Sequence, residues 1–183
     1  MTIPNFLTLG RIFLTPVLVW FLLDNRLNAA LVVFFIAGIT DALDGLVARL
    51  FNQKSRFGAY IDPLADKILL VTSFVLLGYI GLIPSWLVII AVSRDLMILL
   101  GFFTLVFHQI KVEINPLLSS KLTTFFQLLT VFVMLASSLV TLASWMYTIL
   151  YIVTACFSVF SGGRYLYVGM CLLGRQRSRN SGR

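Results

Sequence analysis

Residues 41–67 read DALDGLVARLFNQKSRFGAYIDPLADK and hold four of the chain's seven acidic side chains, although the chain as a whole is 60% hydrophobic. Asp41 and Asp44 are three residues apart, and Asp62 and Asp66 are four apart, so each pair shares one face of a helix. The short basic stretch FNQKSR joins the two predicted helices and brings both pairs to the same end. A site with four converging carboxylates is therefore expected there.

The composition around this stretch is that of a membrane protein. Only 11% of the 183 residues are charged, against roughly 25% in soluble proteins. Apolar runs of the ~20 residues that a helix needs to cross a ~30 Å hydrocarbon core recur along the chain. We predict an all-α integral membrane protein of one domain, residues 1–183, with about six transmembrane helices, a polar metal-containing cavity open to the cytoplasmic side, and a basic, disordered cytoplasmic tail at about 174–183. The predicted spans are Pro4–Leu23, Asn28–Leu50, Phe57–Ile80, Pro84–Phe107, Leu117–Leu142 and Trp145–Leu173.

The distribution of the 14 Lys and Arg residues predicts the orientation. With both termini in the cytoplasm, the loops and tail on that side carry Lys54, Arg56, Lys111 and the last arginines, whereas the outer loops carry only Arg26. This places the four carboxylates on the cytoplasmic side of a bacterial inner membrane, or on the matrix side of the mitochondrial inner membrane. The net charge of +7 is explained by topology and by attraction to membrane lipids, so no nucleic-acid partner is expected.

Four carboxylates at membrane depth need neutralisation. Each costs roughly 2.5 to 3.5 kcal/mol, and four cost on the order of 10 kcal/mol, which is comparable with a domain's net stability. Capping of a helix by Asp62, which precedes Pro63, would explain one of them. Arg49 and Lys67 could offset part of the charge, but divalent cations held by carboxylates would offset it better. The alternative class, a cation or proton transporter, lacks acidic residues toward the outer face to continue an ion path.

The same residues carry a resemblance to a known family. Eight positions fit the motif D-x2-D-G-x2-A-R-x8-G-x3-D-x3-D of the CDP-alcohol phosphotransferase family, also called class-I CDP-alcohol phosphatidyltransferases: Asp41, Asp44, Gly45, Ala48, Arg49, Gly58, Asp62 and Asp66. The segment PNFLTLGR is similar to the family's N-terminal segment, and six helices in this length match its usual fold. The resemblance implies transfer of a phosphatidyl group from CDP-diacylglycerol to an alcohol, with release of CMP.

The resemblance also implies roles for single residues. It implies two divalent metal ions, Mg2+ or Mn2+, with Asp66 at their edge as the general base. The implied metal ligands are Asp41, Asp44, Asp62 and Asp66. The implied CDP-binding positions are Gly45, Ala48, Arg49 and Gly58, whose small side chains and one cation suit a nucleotide diphosphate.

The acceptor alcohol is predicted from the fourth and fifth helices. There Arg94 and Lys121 are the implied ligands of the acceptor's phosphate; Arg94 is expected to face the cavity and to point about 100° away from its neighbour Asp95. The stretches SRDLMILLGFF and SSKLTTFFQ resemble the branch of phosphatidylglycerophosphate and cardiolipin synthases. Members that use glycerol 3-phosphate typically have a second arginine where this chain has Phe102. We therefore favour phosphatidylglycerol, a monoanionic lipid, as acceptor, with glycerol 3-phosphate as the alternative and a homodimer as a possible assembly.

Overall fold

The computed structural model describes residues 3–50, 58–107 and 118–180, with side chains for residues 10–40, 67–101 and 120–165. These parts of the chain form six helices and no strands, which confirms the predicted all-α fold. The helices are α1 (Ile3–Leu23), α2 (Leu27–Leu50), α3 (Gly58–Tyr79), α4 (Ser85–Phe107), α5 (Leu118–Ala136) and α6 (Ser144–Asn180). Most bounds agree with the predicted spans to within a residue, and the exceptions are the C-terminal ends of α5 and α6.

These two helix ends differ from the prediction for opposite reasons. α5 ends at Ala136 rather than Leu142, because the Ser137 hydroxyl donates to the Met134 carbonyl at 2.7 Å, a local bond that competes with helix continuation. α6 continues to Asn180, so residues 174–180 are helical where a disordered tail was predicted. The arginines in this last part of α6 carry positive charge at a helix C-terminus, where it interacts favourably with the helix dipole.

The turns after α1 and α3 lie at the end of the bundle opposite the four aspartates, and both use a left-handed C-cap. Asn25 has φ 55° and Gly81 has φ 80°, values that Asn and Gly adopt more readily than other residues. In each turn an amide donates to the carbonyl five residues back at 2.9 Å, from Arg26 to Phe21 and from Leu82 to Leu77. α2 and α4 therefore start directly after short, defined turns.

The buried side chains change from apolar to polar along the bundle. α1 packs against α2 and α3, α4 contacts α3 and α6, and α5 contacts α2, α3 and α6. Toward the turns at Asn25 and Gly81 the buried residues are apolar, including Leu18, Leu22, Phe34, Phe74, Leu77, Leu87 and Leu135. Toward the other end they are polar, including Arg11, Thr15, Arg94, Asp95, Thr123, Gln127 and Ser161. The polar interior thus lies on the side of the bundle to which the motif belongs.

The outer surface is rich in large apolar side chains, as expected for a protein in lipid. Phe13, Trp20, Phe35, Ile89 and Phe125 are each more than half exposed. By length and hydropathy, one stretch among the residues searched, Ser144–Tyr165 in α6, is sufficient to cross a membrane. Shorter apolar stretches lie in α1, α2, α3 and α5. The all-α fold is thus observed, while the six-span topology and its orientation stay predictions.

A close approach of α3 and α4 gives a test of this packing. A Cβ added at Gly78 would lie 2.6 Å from Val88 Cγ2, and a valine in a helix has essentially one favoured rotamer. We expect Gly78→Ala to lower the free energy of unfolding by about 1 to 3 kcal/mol. Gly38 in α2 has no such neighbour within 4 Å, so Gly38→Ala should instead stabilise by up to about 1 kcal/mol through helix propensity. Unfolding of both variants in detergent measures the difference, and equal stabilisation by both would contradict this helix contact.

Candidate active site

The eight motif positions lie on two consecutive helices. Asp41, Asp44 and Arg49 belong to the last turns of α2, and Asp62 and Asp66 belong to the first turns of α3. α1 packs against both of these helices. The side chains of the motif lie outside the described residues. Among the side chains that are described, no three His, Cys, Asp or Glu residues come together as a metal site.

The helix bounds exclude one explanation for Asp62, that its side chain caps the start of α3. α3 begins at Gly58, four residues before Asp62, so Asp62 and Pro63 are inside the helix and Asp62 is not its N-cap. The capping explanation is therefore wrong. Its carboxylate, like those of Asp41 and Asp44, needs another source of neutralisation.

Next to the motif lies a buried ionic cluster that we call the Arg94 cluster, formed by Lys67, Arg94, Asp95, Ser120 and Ser161. One carboxylate oxygen, Asp95 Oδ1, accepts from Lys67 Nζ at 2.6 Å and from Arg94 Nη1 at 2.5 Å. The side chains of Arg94 and Asp95 are 3% and 4% exposed, and that of Lys67 is 23% exposed. Since two cations share one carboxylate, the cluster keeps one net positive charge inside the bundle.

The second half of the Arg94 guanidinium connects α4 to the last two helices. Arg94 Nη2 donates to Ser120 Oγ at 2.8 Å and to Ser161 Oγ at 2.9 Å. Gly162 lies beside the stem of Arg94, and a Cβ there would be in ordinary van der Waals contact with Arg94 Cγ at 3.6 Å. Arg94 Nε is buried and has no hydrogen-bond partner among the described residues, so its N–H is not used by the contacts of the Arg94 cluster. Arg94 thus links α4 to α5 and α6, and its neighbour Asp95 adds α3 through Lys67.

The structure places the two predicted acceptor ligands on opposite sides of the first turn of α5, with Arg94 of α4 on the inner side and Lys121 on the outer side. Arg94 contacts Ser120 inside the bundle, whereas the next residue, Lys121, is exposed. Lys121 lines an open groove of about 370 Å³ with Ser120, Thr124, Phe125 and Leu128. This groove is cationic and polar at the start of α5 and apolar one to two turns further along the outer side of the helix. Among the described contacts, Arg94 is therefore connected to Lys121 through Ser120, the residue that precedes Lys121 in the chain.

The α5–α6 interface that holds Ser120 and Ser161 is a seam of hydroxyl groups. Thr123 donates to the Phe157 carbonyl at 2.9 Å, and the hydroxyls of Thr130 and Thr154 are 2.9 Å apart. Small polar residues let helices approach closely in a membrane and satisfy their hydroxyls across the interface. The rings of Phe126 and Phe157 stack at 4.8 Å beside this seam. The seam fixes the distance between the two serines that receive Arg94.

Several of these residues were not predicted as site residues. Asp95 was expected to point away from Arg94, but the long arginine side chain turns back and pairs with it. Lys67 was expected to offset the motif carboxylates, yet its described partner is Asp95, which is 28 residues away. A signal did exist in the sequence, because Asp95, the single acid of α4, requires a cation when it is buried, and Arg94 directly precedes it. Nothing in the sequence indicated Ser161, which is 67 residues from Arg94.

Comparison with known proteins adds family information to this geometry. A family model described as CDP-alcohol phosphatidyltransferase matches residues 1–160, which contain the whole motif, Lys67 and Asp95. Among curated relatives, the cardiolipin synthases (CMP-forming) of Rattus norvegicus and Homo sapiens are each 36% identical over 92% of this chain. The CDP-diacylglycerol--glycerol-3-phosphate 3-phosphatidyltransferase of Aquifex aeolicus is 33% identical over 69% of this chain and 71% of its own length.

The relatives differ in how much of their own length this chain covers. It spans 61% of the rat relative and 62% of the human one. The chain thus corresponds to about three fifths of the length of these two relatives.

Proposed function

Because this chain belongs to the CDP-alcohol phosphatidyltransferase family, we propose that it transfers a phosphatidyl group from CDP-diacylglycerol to a glycerol-type alcohol and releases CMP. The complete eight-residue motif on α2 and α3 carries this proposal. The polar half of the bundle interior beside the motif is consistent with a site for a charged nucleotide in an otherwise apolar protein.

Divalent metal ions are used by members of this family, and the donor set of this chain fits them. Aspartate carboxylates are hard oxygen ligands of the kind that Mg2+ and Mn2+ prefer. Two such ions would be held by Asp41, Asp44, Asp62 and Asp66. When bound, they supply charge neutralisation and Lewis-acid polarisation of the phosphates.

The chain's own side chains carry out the proton transfer and bind the nucleotide. Asp66 accepts the proton of the acceptor hydroxyl, whose oxygen then bonds to the phosphorus that carries diacylglycerol. The bond from this phosphorus to the bridging oxygen breaks, and CMP leaves. Gly45, Ala48 and Gly58 leave room for the nucleotide next to the helix backbones, and Arg49 binds its phosphates.

For the acceptor we favour phosphatidylglycerol, which would give cardiolipin. A single arginine in α4, with Phe102 in place of a second one, suits a monoanionic diester better than a dianion. The groove at Lys121 adds support, since its cationic start and its apolar continuation over Phe125 and Leu128 match a phospholipid that approaches from the bilayer. The rat and human relatives are named cardiolipin synthases. Glycerol 3-phosphate is the second candidate, because the Aquifex aeolicus relative is named for that acceptor.

The proposed setting is a membrane with the motif on the cytoplasmic or matrix side. The basic residues at the ends of the helices on the motif side, including Arg175, Arg177 and Arg179 in α6, favour that orientation. A homodimer and contacts with membrane lipids complete the proposal, and the exposed apolar surface permits both.

Arg94→Ala tests the acceptor side. The guanidinium is one of the two cations of the Arg94 cluster, and a hydrogen bond to a charged group contributes about 1.5 to 3 kcal/mol. We expect the KM for the acceptor to rise about tenfold or more, with a smaller change in the KM for CDP-diacylglycerol. Steady-state kinetics with each substrate varied in turn measure both values. Equal increases in the two KM values would contradict an acceptor-specific role.

The proposed function is tested with purified protein, CDP-diacylglycerol and a panel of alcohols. We expect CMP release with phosphatidylglycerol and cardiolipin as the product. Formation of phosphatidylglycerophosphate from glycerol 3-phosphate, without cardiolipin, would assign the second acceptor. Ion flux in proteoliposomes without CMP release in the presence of any of these alcohols would overturn the enzyme assignment.

A further inference from the structure

The Arg94 cluster connects the helix that carries Asp66 to the acceptor side of the site. We propose that Asp95 and Lys67 are positioning residues: Asp95 holds Lys67 and thereby sets the rotation of α3 at Asp66, while it also fixes the Arg94 guanidinium. The inference rests on the proposed phosphatidyl transfer, because it assigns these residues an effect on that reaction. Neither Asp95 nor Lys67 belongs to the motif.

The link between α3 and the other helices runs through hydrogen bonds to Asp95. Asp95 is the only buried carboxylate among the described side chains, and both cations of the cluster donate to the same oxygen. Lys67 directly follows Asp66 in α3, while Arg94 reaches α5 and α6 through Ser120 and Ser161. The orientation of α3 at Asp66 is thus tied to three other helices through one oxygen atom.

A small rotation of α3 would be enough to matter. A helix has a radius of about 5 to 6 Å with its side chains, so a turn of about 10° displaces a carboxylate at that radius by about 1 Å. A displacement of about 1 Å in a reacting group can lower the rate about 100-fold. Anchoring Lys67, the residue next to Asp66, limits this rotation at the place where it has the largest effect on the proton transfer.

Lys67→Met separates positioning from folding. The variant removes one cation and leaves Arg94 and Asp95 as a neutral pair, and a methionine replaces the apolar stem of the lysine with similar volume. We expect a folded protein with unchanged thermal stability, kcat lowered about 10- to 100-fold, and the KM for CDP-diacylglycerol little changed. Lys67→Arg, which can still donate to Asp95, should recover most of the lost kcat.

Asp95→Asn tests the other partner. Loss of the charge frees both Lys67 and Arg94, so kcat should fall and the KM for the acceptor should also rise, whereas Asp95→Glu should restore part of both. In a double-mutant cycle, Lys67→Met with Asp95→Asn should lower kcat no further than the stronger single variant, because the two residues act as one unit. Asp24→Asn is the matched control, since Asp24 forms an exposed ion pair with Arg26 at 2.7 Å at the opposite end of the bundle.

The outcomes distinguish this inference from the proposed function. Wild-type protein that releases no CMP with any alcohol would refute the function. An active wild type with a folded Lys67→Met variant of normal kcat would overturn the positioning role alone. The positioning role would also be overturned if activity in Lys67→Met and Asp95→Asn fell only in proportion to the amount of folded protein. The cluster would then contribute to stability and not to catalysis.

Discussion

Asp66→Asn is expected to abolish phosphatidyl transfer while CDP-diacylglycerol still binds. An amide cannot take the proton of the acceptor hydroxyl, and loss of general base catalysis lowers rates by about 10²- to 10⁴-fold. Binding should persist because the other three aspartates and Arg49 stay in place. CMP release measures the chemical step, and binding of CDP-diacylglycerol to the purified variant in detergent measures the ground state.

The control for Asp66→Asn is Asp24→Asn, which removes an exposed carboxylate far from the motif and should leave turnover unchanged. Substantial turnover of the purified Asp66→Asn protein would show that the base is another group. If the variant lost both turnover and binding of CDP-diacylglycerol, Asp66 would instead serve mainly as a ligand of the nucleotide site.

Removal of divalent cations is expected to have an equally large effect. The substrate's diphosphate and four carboxylates repel each other unless cations separate them, so a chelator should reduce CMP release to background. Added Mg2+ or Mn2+ should restore it, whereas Na+ or K+ at the same ionic strength should not. Asp41→Asn should raise the metal concentration needed for half-maximal activity. Full activity after exhaustive chelation would contradict the assignment of the aspartates as metal ligands.

The sequence predicted the helices well because each is a long apolar run between short polar connections. The starts of α2 and α4 were found within a residue. The end of α5 was wrong because Ser137 and Ser138 bond to backbone carbonyls of the preceding turn, a competition that hydropathy does not register. The family resemblance, which rests on fixed spacing within 26 residues, was confirmed by the match over residues 1–160.

The active site could be predicted only where its residues are close in the sequence. The motif is local to two consecutive helices, so its helical spacing already places the aspartates on two faces at one end. The Arg94 cluster is different, because its contacts join residues separated by 26, 28 and 67 positions. Packing of α3, α4, α5 and α6 decides those contacts, and helical periodicity within any single stretch does not contain them. The roles of the motif residues themselves stay predictions.

The hydroxyl seam between α5 and α6 has a consequence for how such a sequence can evolve. Thr123 donates across the seam to the backbone carbonyl of Phe157, whereas Thr130 and Ser158 donate to carbonyls of their own helices, of Phe126 and Thr154 respectively. Every residue type has a backbone carbonyl, so mutation of the accepting residue leaves the acceptor atom in place. Substitution of Phe157 therefore leaves the acceptor of the Thr123 hydroxyl in place. Lys67, Asp95 and Arg94 pair through their side chains, so a change in any of them selects for a compensating change in another, and these positions should covary.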